Sequence, residues 1–230
     1  MKTFIIRIKG NEKSEETAKI AYDTCLERGY EPTLVSGITP ETLIIWDEKY
    51  KLNVLKPSHM YDRQIGKNGT PRVYKAKYSN FLNHYRLWLT SIELDETIVV
   101  LEHDVMAVRS WDNPNFEEML VLNMHCGLHE KQFDKLEKPK LEVGVHPYDN
   151  PYLIYRSNNL WRGSGMIPGS AAYAITPRGS ERLIQNVKQY GWDKADYIIN
   201  TKSIDMKYIN PDYFEFTHHI IPNQRTSHGE

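Results

Sequence analysis

The first forty residues alternate short β-forming runs with one amphipathic stretch. Thr3–Ile8 is short and rich in β-forming residues, which predicts a buried strand. Small and apolar residues then recur at helical spacing behind Asn11 or Ser14, either of which can cap a helix, and Gly29 is placed to end it in a left-handed conformation. Thr33–Ser36 predicts a second strand. We therefore expect a strand-helix-strand unit at the start of the chain.

The middle of the chain has the strongest helical periodicity. Thr39-Pro40-Glu41 predicts a helix start, because proline at the first helical position loses only an amide hydrogen that would be unpaired anyway. Tyr74–Glu93 predicts a long helix with one buried stripe, formed by Tyr78, Phe81, Leu82, Tyr85, Trp88, Leu89 and Ile92. Thr97–Leu101 is a continuous aliphatic run, typical of a strand covered on both faces. It leads into Glu102-His103-Asp104, at the kind of strand end where open α/β sheets bind ligands.

The later part of the chain is less regular. Residues 134–164 contain three prolines and little periodicity, which predicts a long functional loop. Four further elements are predicted: a strand at Gly165–Ile175, a helix from Thr176-Pro177 towards Tyr190 that Gly191 ends, a short helix from Asp193 to about Asn200, and a strand-like Tyr208–Phe216. Early alternation followed by irregularity favours one α/β domain with an elaborated C-terminal half.

Composition and charge narrow the class of protein. The chain has 230 residues, 40% hydrophobic and 26% charged, which excludes a disordered tail, a collagen-like fibre and a disulfide-stapled miniprotein. The net charge of −1 gives no global attraction to nucleic acid or an anionic membrane. Cys25 and Cys126 are expected to be free thiols in a reducing compartment. Arg7 and Lys9 interrupt the N-terminal apolar run, and no window approaches the about 18 apolar residues of a membrane span, so we expect a cytoplasmic protein without stable membrane insertion.

The acidic triplet is the first candidate site. Glu102 and Asp104 are two residues apart, so in a turn at the strand end both carboxylates can converge on one cation. Carboxylates bind Mg²⁺ or Mn²⁺, which keep open positions for substrate phosphates. A nucleoside-diphosphate sugar needs such an ion because negative charge develops on its leaving diphosphate. The alternative is that these residues cap the strand and face water.

Short motifs around the triplet are similar to glycosyltransferase family 25, the lipooligosaccharide-type galactosyl- and glucosyltransferases. In that family a helix with a Ser-His pair and a Trp leads into a strand ending Leu-Glu-Asp-Asp. Asn83-His84 with Trp88 stands at the first position and Leu101–Val105 at the second. Later segments that resemble family blocks are Gly169–Gly179, Asp196–Ile199 and Pro222–Ser227. Two departures stand out, since Asn83 replaces the serine and His103 replaces the middle carboxylate.

The resemblance implies a GT-A-type nucleotide-sugar-binding fold, with a mixed sheet flanked by helices. It implies one domain over residues 1–230, with a donor half at about 1–110 and an acceptor half at about 111–230. A hexose or pentose would move from a nucleotide-sugar, most simply a UDP-sugar, to an acceptor hydroxyl, with Mn²⁺ or Mg²⁺. The candidate donor-binding residues are Glu102, His103, Asp104, His84, Arg86, Gly169 and Ser170. The candidate metal ligands are Asp104, Glu102 and His219.

The resemblance also suggests the catalytic base. Most members invert the anomeric centre, and a carboxylate then removes the acceptor proton. Asp196 matches the Asp-led family segment and is the first candidate, with Asp193 in reserve. Capping of a short helix is the simpler interpretation of Asp193.

Several acceptors and two other classes of function remain open. A glycan such as lipooligosaccharide follows from the resemblance. Residues 63–92 contain no acidic residue and interleave basic with tyrosine side chains, which is compatible with a phage-type enzyme that glycosylates hydroxymethylated pyrimidines in DNA. His103 and Asn83 also suggest a non-catalytic nucleotide-sugar-binding module, and the acidic triplet with distal histidines suggests a metal-dependent hydrolase. No oligomeric state is predicted.

Overall fold

The computed structural model describes residues 1–55, 71–123, 142–148, 160–167 and 169–220, without the side chains of 71–73, 219 and 220. The strands in these residues are β1 (Lys2–Arg7), β2 (Glu31–Ser36), β3 (Ile98–Glu102), β4 (Val105–Ala107), β5 (Met119–Val121), β6 (Gly144–Pro147), β7 (Ala172–Ile175), β8 (Met206–Asn210) and β9 (Phe214–Phe216). The helices are α1 (Glu12–Glu27), α2 (Leu43–Tyr50), α3 (Pro71–Leu94), α4 (Pro177–Tyr190), α5 (Ala195–Ile198) and α6 (Thr217–Ile220).

Seven strands form one mixed sheet in the order β2-β1-β3-β7-β5-β8-β6. β1 is parallel to β2 and β3, while β7 runs antiparallel between β3 and β5. β8 is parallel to β5 and antiparallel to β6, and β4 pairs with β9 in a separate two-stranded ladder. The carboxyl ends of β1, β2 and β3 therefore share one edge of the sheet with the start of β7. β2, β1 and β3 come from residues before 110 and the other four strands from residues after 111, so a single sheet spans both parts of the chain.

Two apolar cores cover the two faces of this sheet. Successive residues of β3 point to opposite faces, so Val100 packs with α3 and α4 whereas Val99 and Leu101 pack with α1. All of β3 before Glu102 is fully buried, as the aliphatic run predicts. The predicted α/β class, with a mixed central sheet flanked by helices, is confirmed.

The best-formed helices begin and end at the predicted signals. The Asn11 side chain caps α1 by accepting from the Ser14 amide, and Gly29 follows the helix with a φ of 78°. The Thr176 side chain caps α4 by accepting from the Gly179 amide, and Gly191 ends that helix. None of the described helices is both long and apolar enough to cross a lipid bilayer.

Five predicted boundaries are wrong, and the first three concern helix α2, strand β7 and helix α5. Residues 39–42 form a turn in which Thr39 and Thr42 bond each other, so α2 begins at Leu43. Only Ala172–Ile175 of the predicted strand 165–175 pairs in the sheet, because Gly169 and Ser170 have positive φ angles, which end a strand. The short helix predicted over 193–200 is confined to Ala195–Ile198.

The remaining two corrections concern the C-terminal half. The loop predicted over 134–164 contains strand β6, and most of the rest of that range lies outside the described residues. The strand predicted over 208–216 is two strands, β8 in the main sheet and β9 on β4. Pro211, which lacks an amide hydrogen, lies between them.

Candidate active site

The acidic triplet lies where the central strand β3 ends. Glu102 is the last residue of β3, and His103 and Asp104 form the turn into β4. The Asp104 carbonyl accepts hydrogen bonds from the Thr217 amide at 2.9 Å and from the Thr217 hydroxyl at 3.2 Å. The first residue of α6 therefore anchors the acidic turn to the C-terminal part of the chain.

Asp104 carries a buried carboxylate oxygen that the described residues leave unpaired. Asp104 is only 7% exposed, and its Oδ1 has no hydrogen-bond partner in the described part of the chain. Burial raises the pKa of Asp104 to about 7, and the neighbouring charge of Glu102 raises it as well. A carboxylate in such surroundings is stabilised by a bound cation.

Glu102 is held through one of its two oxygens. The Asn80 side-chain amide donates to Glu102 Oε1 at 3.1 Å, and His84 Nε2 lies 3.5 Å from the same oxygen. Burial raises the pKa of Glu102, but the contact with His84 and the hydrogen bond from Asn80 together hold it below its usual value. Glu102 is therefore an anion, and about a quarter of its side chain is exposed.

His103 turns away from β3 towards helix α1. Its Nδ1 lies 2.9 Å from the Thr17 hydroxyl oxygen, and that hydroxyl has the Lys13 carbonyl as an acceptor at 2.9 Å. The Thr17 proton thus satisfies the helix carbonyl, which favours a His103 tautomer with the proton on Nδ1. Burial lowers the pKa of His103, so the ring is neutral near pH 7.

His84 is fully buried, although it does not belong to the predicted apolar stripe of α3. Its Nδ1 lies 3.0 Å from the Tyr173 hydroxyl, which also accepts from Trp88 Nε1 at 3.0 Å. The rings of His84 and Tyr173 stack with centroids 5.8 Å apart. Tertiary contacts with β7 bury this histidine, and the helical pattern alone does not show those contacts.

Asn83 and Arg86 hold the loop that follows β2. The Asn83 side chain accepts from the Ile38 amide at 2.7 Å and donates to the Ile38 carbonyl at 3.2 Å. Arg86 donates to the Ser36 carbonyl at 2.5 Å and lies over the Trp46 ring at 5.6 Å. The Asn83 side chain thus positions the loop after β2. A donor-binding role for Arg86 stays a prediction.

Gly169 and Ser170 lie next to the acidic turn through the pairing of β3 with β7. Their φ angles are 83° and 52°, and the following residue, Ala171, accepts a backbone hydrogen bond from Glu102 at 2.9 Å. The Ser170 hydroxyl is buried and has no hydrogen-bond partner among the described residues. Two of the predicted donor-binding residues are thus placed beside Glu102.

The two candidate bases occupy different surroundings. Asp193 is fully buried, and its Oδ1 accepts from the Lys194 amide at 2.8 Å in the turn before α5. The cap residue of α5 is Lys194, so the predicted capping of this helix by Asp193 is wrong. Asp196 is partly buried. Burial raises the pKa of Asp196, the charge of Glu102 raises it further, and Lys194 and Lys77 lower it. Asp196 is therefore within electrostatic reach of Glu102.

Some predicted groups lie wholly or partly outside the described residues. His219 belongs to α6, but its side chain is not described, so its metal role stays a prediction. In the basic stretch at residues 63–92, side chains are described only from Tyr74 onwards. Lys75 and Lys77 are exposed there. Over the described ranges, no three His, Cys, Asp or Glu side chains cluster closely enough to hold a metal ion alone.

The sequence reasoning missed several contacts of the site, among them those of Asn80, Tyr173 and Thr17. Asn80 lies one turn before His84 on the same helix, so a helical projection from His84 identifies it. Tyr173 stands within a quoted motif but received no role. Thr17 has no local signal, because only packing of α1 beside β3 brings it to His103.

No protein-family model and no curated protein matches the chain. Among solved structures, mouse xyloside xylosyltransferase 1 in its apo form is 12% identical, over 86% of this chain and 79% of that one, with a TM-score of 0.37. A glycosyltransferase involved in the glycosylation of the major capsid of PBCV-1 is 11% identical, over 85% of this chain and 70% of that one, with a TM-score of 0.34. With TM-scores below 0.5, neither likeness assigns a donor, an acceptor or a family to this chain.

Proposed function

We propose that this chain is a nucleotide-sugar-dependent glycosyltransferase of the GT-A type. The observation that carries the proposal is the buried Oδ1 of Asp104, which has no hydrogen-bond partner among the described residues, beside the anionic Glu102 at the carboxyl edge of the parallel strands. Ligands of open α/β sheets bind at such edges. A divalent cation that also binds the phosphates of a ligand would neutralise both carboxylates.

The two carboxylates fit a hard divalent cation. Mg²⁺ is commonly held by one or two protein carboxylates together with substrate phosphates, so a cluster of three protein ligands is not required. Asp104 and Glu102 would hold Mn²⁺ or Mg²⁺. His103 and His219 are the further candidate ligands of this ion. When bound, the ion supplies Lewis-acid stabilisation of the negative charge on the leaving diphosphate.

The chain's own residues shape the sugar site. Gly169 has little bulk and Ser170 presents a buried hydroxyl without a partner in the described residues, so this turn suits close contact with sugar hydroxyls. Asn83 and Arg86 fix the loop after β2, at the same edge of the sheet as the acidic turn. The donor would lie between this loop and the turn before β7.

Asp196 is the proposed general base. Its carboxylate takes the proton of the acceptor hydroxyl while that oxygen bonds to the anomeric carbon, and the bond to the diphosphate oxygen breaks with its electrons. A base must be ionised to act, so a raised pKa moves the acidic limb of the rate profile upwards from the ordinary aspartate value of 3.8. Transfer should therefore fall on acidification at a pH above 3.8, and Asp196→Asn should remove transfer. An unchanged rate in Asp196→Asn contradicts this role.

The proposed acceptor is a hydroxyl of a glycan such as lipooligosaccharide, and the proposed donor is a UDP-hexose or UDP-pentose. Hydroxymethylated DNA is the second acceptor to test, because Lys75 and Lys77 are exposed near Tyr74 on α3. A panel of nucleotide-sugars with Mn²⁺, offered oligosaccharides in one series and hydroxymethylcytosine DNA in another, decides between them by product mass. Binding without release of UDP in either series favours a non-catalytic module.

Asp104→Asn tests the acidic turn directly. The substitution keeps the side-chain volume and removes the charge, so we expect transfer to fall at least about 100-fold while the melting temperature stays nearly constant. Asp23→Asn, at an exposed carboxylate on α1 that pairs with Lys19, is the matched control and should stay fully active. A fully active Asp104→Asn protein refutes the assignment.

A further inference from the structure

A buried chain of polar side chains runs from α3 through β7 to the candidate site. Trp88, Tyr173 and His84 are all fully buried. Trp88 Nε1 donates to the Tyr173 hydroxyl at 3.0 Å, and the same hydroxyl lies 3.0 Å from His84 Nδ1. An indole nitrogen is only a donor, so the direction of the first hydrogen bond is certain.

The direction of the first bond determines that of the second. A phenolic hydroxyl has one proton to donate, and Tyr173 already accepts from Trp88. In the described part of the chain, the other partner of the Tyr173 hydroxyl is His84 Nδ1. Burial of the hydroxyl requires that its proton be satisfied, so Tyr173 donates and Nδ1 accepts.

A histidine that accepts at Nδ1 carries its proton on Nε2 when it is neutral. His84 Nε2 is buried, and among the described residues its polar neighbour is Glu102 Oε1 at 3.5 Å. The other tautomer would direct a lone pair at the carboxylate and leave the Tyr173 proton without an acceptor. The 3.5 Å separation is longer than an ordinary hydrogen bond, and such contacts commonly tighten when a substrate binds.

The same carboxylate oxygen has a second donor from the same helix. Asn80 Nδ2 donates to Glu102 Oε1 at 3.1 Å, and Asn80 and His84 are one turn apart on α3. No hydrogen bond within the described ranges reaches Oε2 of Glu102. One oxygen is thus held by a rigid helix, and the other is left to a ligand at the sheet edge.

We propose that Trp88, Tyr173 and His84 form a directional hydrogen-bond relay that positions the Glu102 carboxylate, with Oε1 held by the protein and Oε2 presented to the cation or sugar. These three are positioning residues, because they act on the ligand through Glu102. The orientation of the relay stands on the geometry alone, whereas its effect on a nucleotide-sugar rests on the proposed function.

The tautomer of His84 is the first readout, and it does not depend on any activity. In protein labelled with ¹⁵N at histidine, and with His84 assigned by its loss in His84→Gln, Nε2 should give the signal of a protonated ring nitrogen at pH 8. Nδ1 should give that of an unprotonated one. In Tyr173→Phe, where Nδ1 loses its donor, the signals should move towards a mixture of tautomers. A predominantly Nδ1-protonated His84 in the unaltered protein overturns the relay.

Binding is the second readout, with Mn²⁺ and UDP as the probe. Removing a group that orients a metal-binding residue typically costs 10–100-fold in affinity, so Tyr173→Phe should weaken Mn²⁺-dependent UDP binding at least about tenfold. Tyr30→Phe is the control, because Tyr30 is also a buried tyrosine that donates one hydrogen bond, to the Arg109 carbonyl at 3.1 Å. Tyr30 lies next to the start of β2, at the end of the sheet opposite the candidate site. The Tyr30→Phe variant should bind UDP like the unaltered protein.

The two readouts separate the two proposals. If Tyr173→Phe and Tyr30→Phe bind equally well, Tyr173 is only a structural residue and the positioning role is refuted. If the unaltered protein binds neither Mn²⁺ nor UDP but shows the expected His84 tautomer, the proposed function fails while the orientation of the relay stands. Equal melting temperatures of the two variants exclude unfolding as the cause of a difference.

Discussion

Replacing Asn83 with alanine should destabilise the protein by about 2–4 kcal/mol. Asn83 is 3% exposed and closes two hydrogen bonds with the backbone of Ile38, at 2.7 Å and 3.2 Å. Alanine can make neither bond, so a peptide amide and a carbonyl in the loop after β2 would be left buried without those partners. Each such group costs roughly 1–3 kcal/mol, and partial rearrangement of the loop reduces the sum.

Thermal and urea unfolding measure this loss. For a chain of this length, about 2–4 kcal/mol corresponds to a fall in melting temperature of roughly 5–15 °C. Asn80→Ala is the matched control: the same substitution, three residues earlier on α3, at an exposed position that bonds Glu102. It should change the free energy of unfolding by less than about 0.5 kcal/mol.

The two asparagines also separate stability from function. Asn80→Ala should weaken ligand binding through Glu102 while the protein stays stable, and Asn83→Ala should unfold more easily. If Asn83→Ala unfolds within about 0.5 kcal/mol of the unaltered protein, the loop after β2 does not depend on that side chain. The positioning role of Asn83 would then be refuted.

Two further predictions concern the thiol and the glycines. Burial raises the pKa of Cys25 to about 12, so its thiol is protonated at pH 8. In a Cys126→Ser background, a thiol reagent at pH 8 should therefore label the native protein very slowly and the denatured protein fully. Fast labelling of the native protein contradicts this prediction. Gly191→Ala should lower the free energy of unfolding, measured with urea, by about 3 kcal/mol or more. Gly191 has a φ of 97°, and the new Cβ would lie only 2.6 Å from the Leu55 amide nitrogen. Gly10→Ala, with a φ of 83° and open space, should cost only about 1 kcal/mol, and equal losses would refute the steric part.

The candidate site was partly predictable because its central residues are consecutive. Glu102 and Asp104 follow an aliphatic run, and a strand end is visible in one dimension. The contacts of those residues were not predictable, since Thr217 and Thr17 come from distant parts of the chain and reach the turn only through packing. The tautomers of His84 and His103 depend entirely on such contacts.

Local signals in the sequence determined the elements whose bounds were correct. Asn11, Gly29, Thr176 and Gly191 act on the backbone beside them, so caps and helix ends follow from a few neighbouring residues. The buried stripe of α3 follows equally from periodicity. Tertiary structure alone decided the order of strands, the insertion of β7 between β3 and β5, and the burial of His84 against Tyr173. Pairing between distant strands depends on long-range contacts, for which a single sequence carries no local signal.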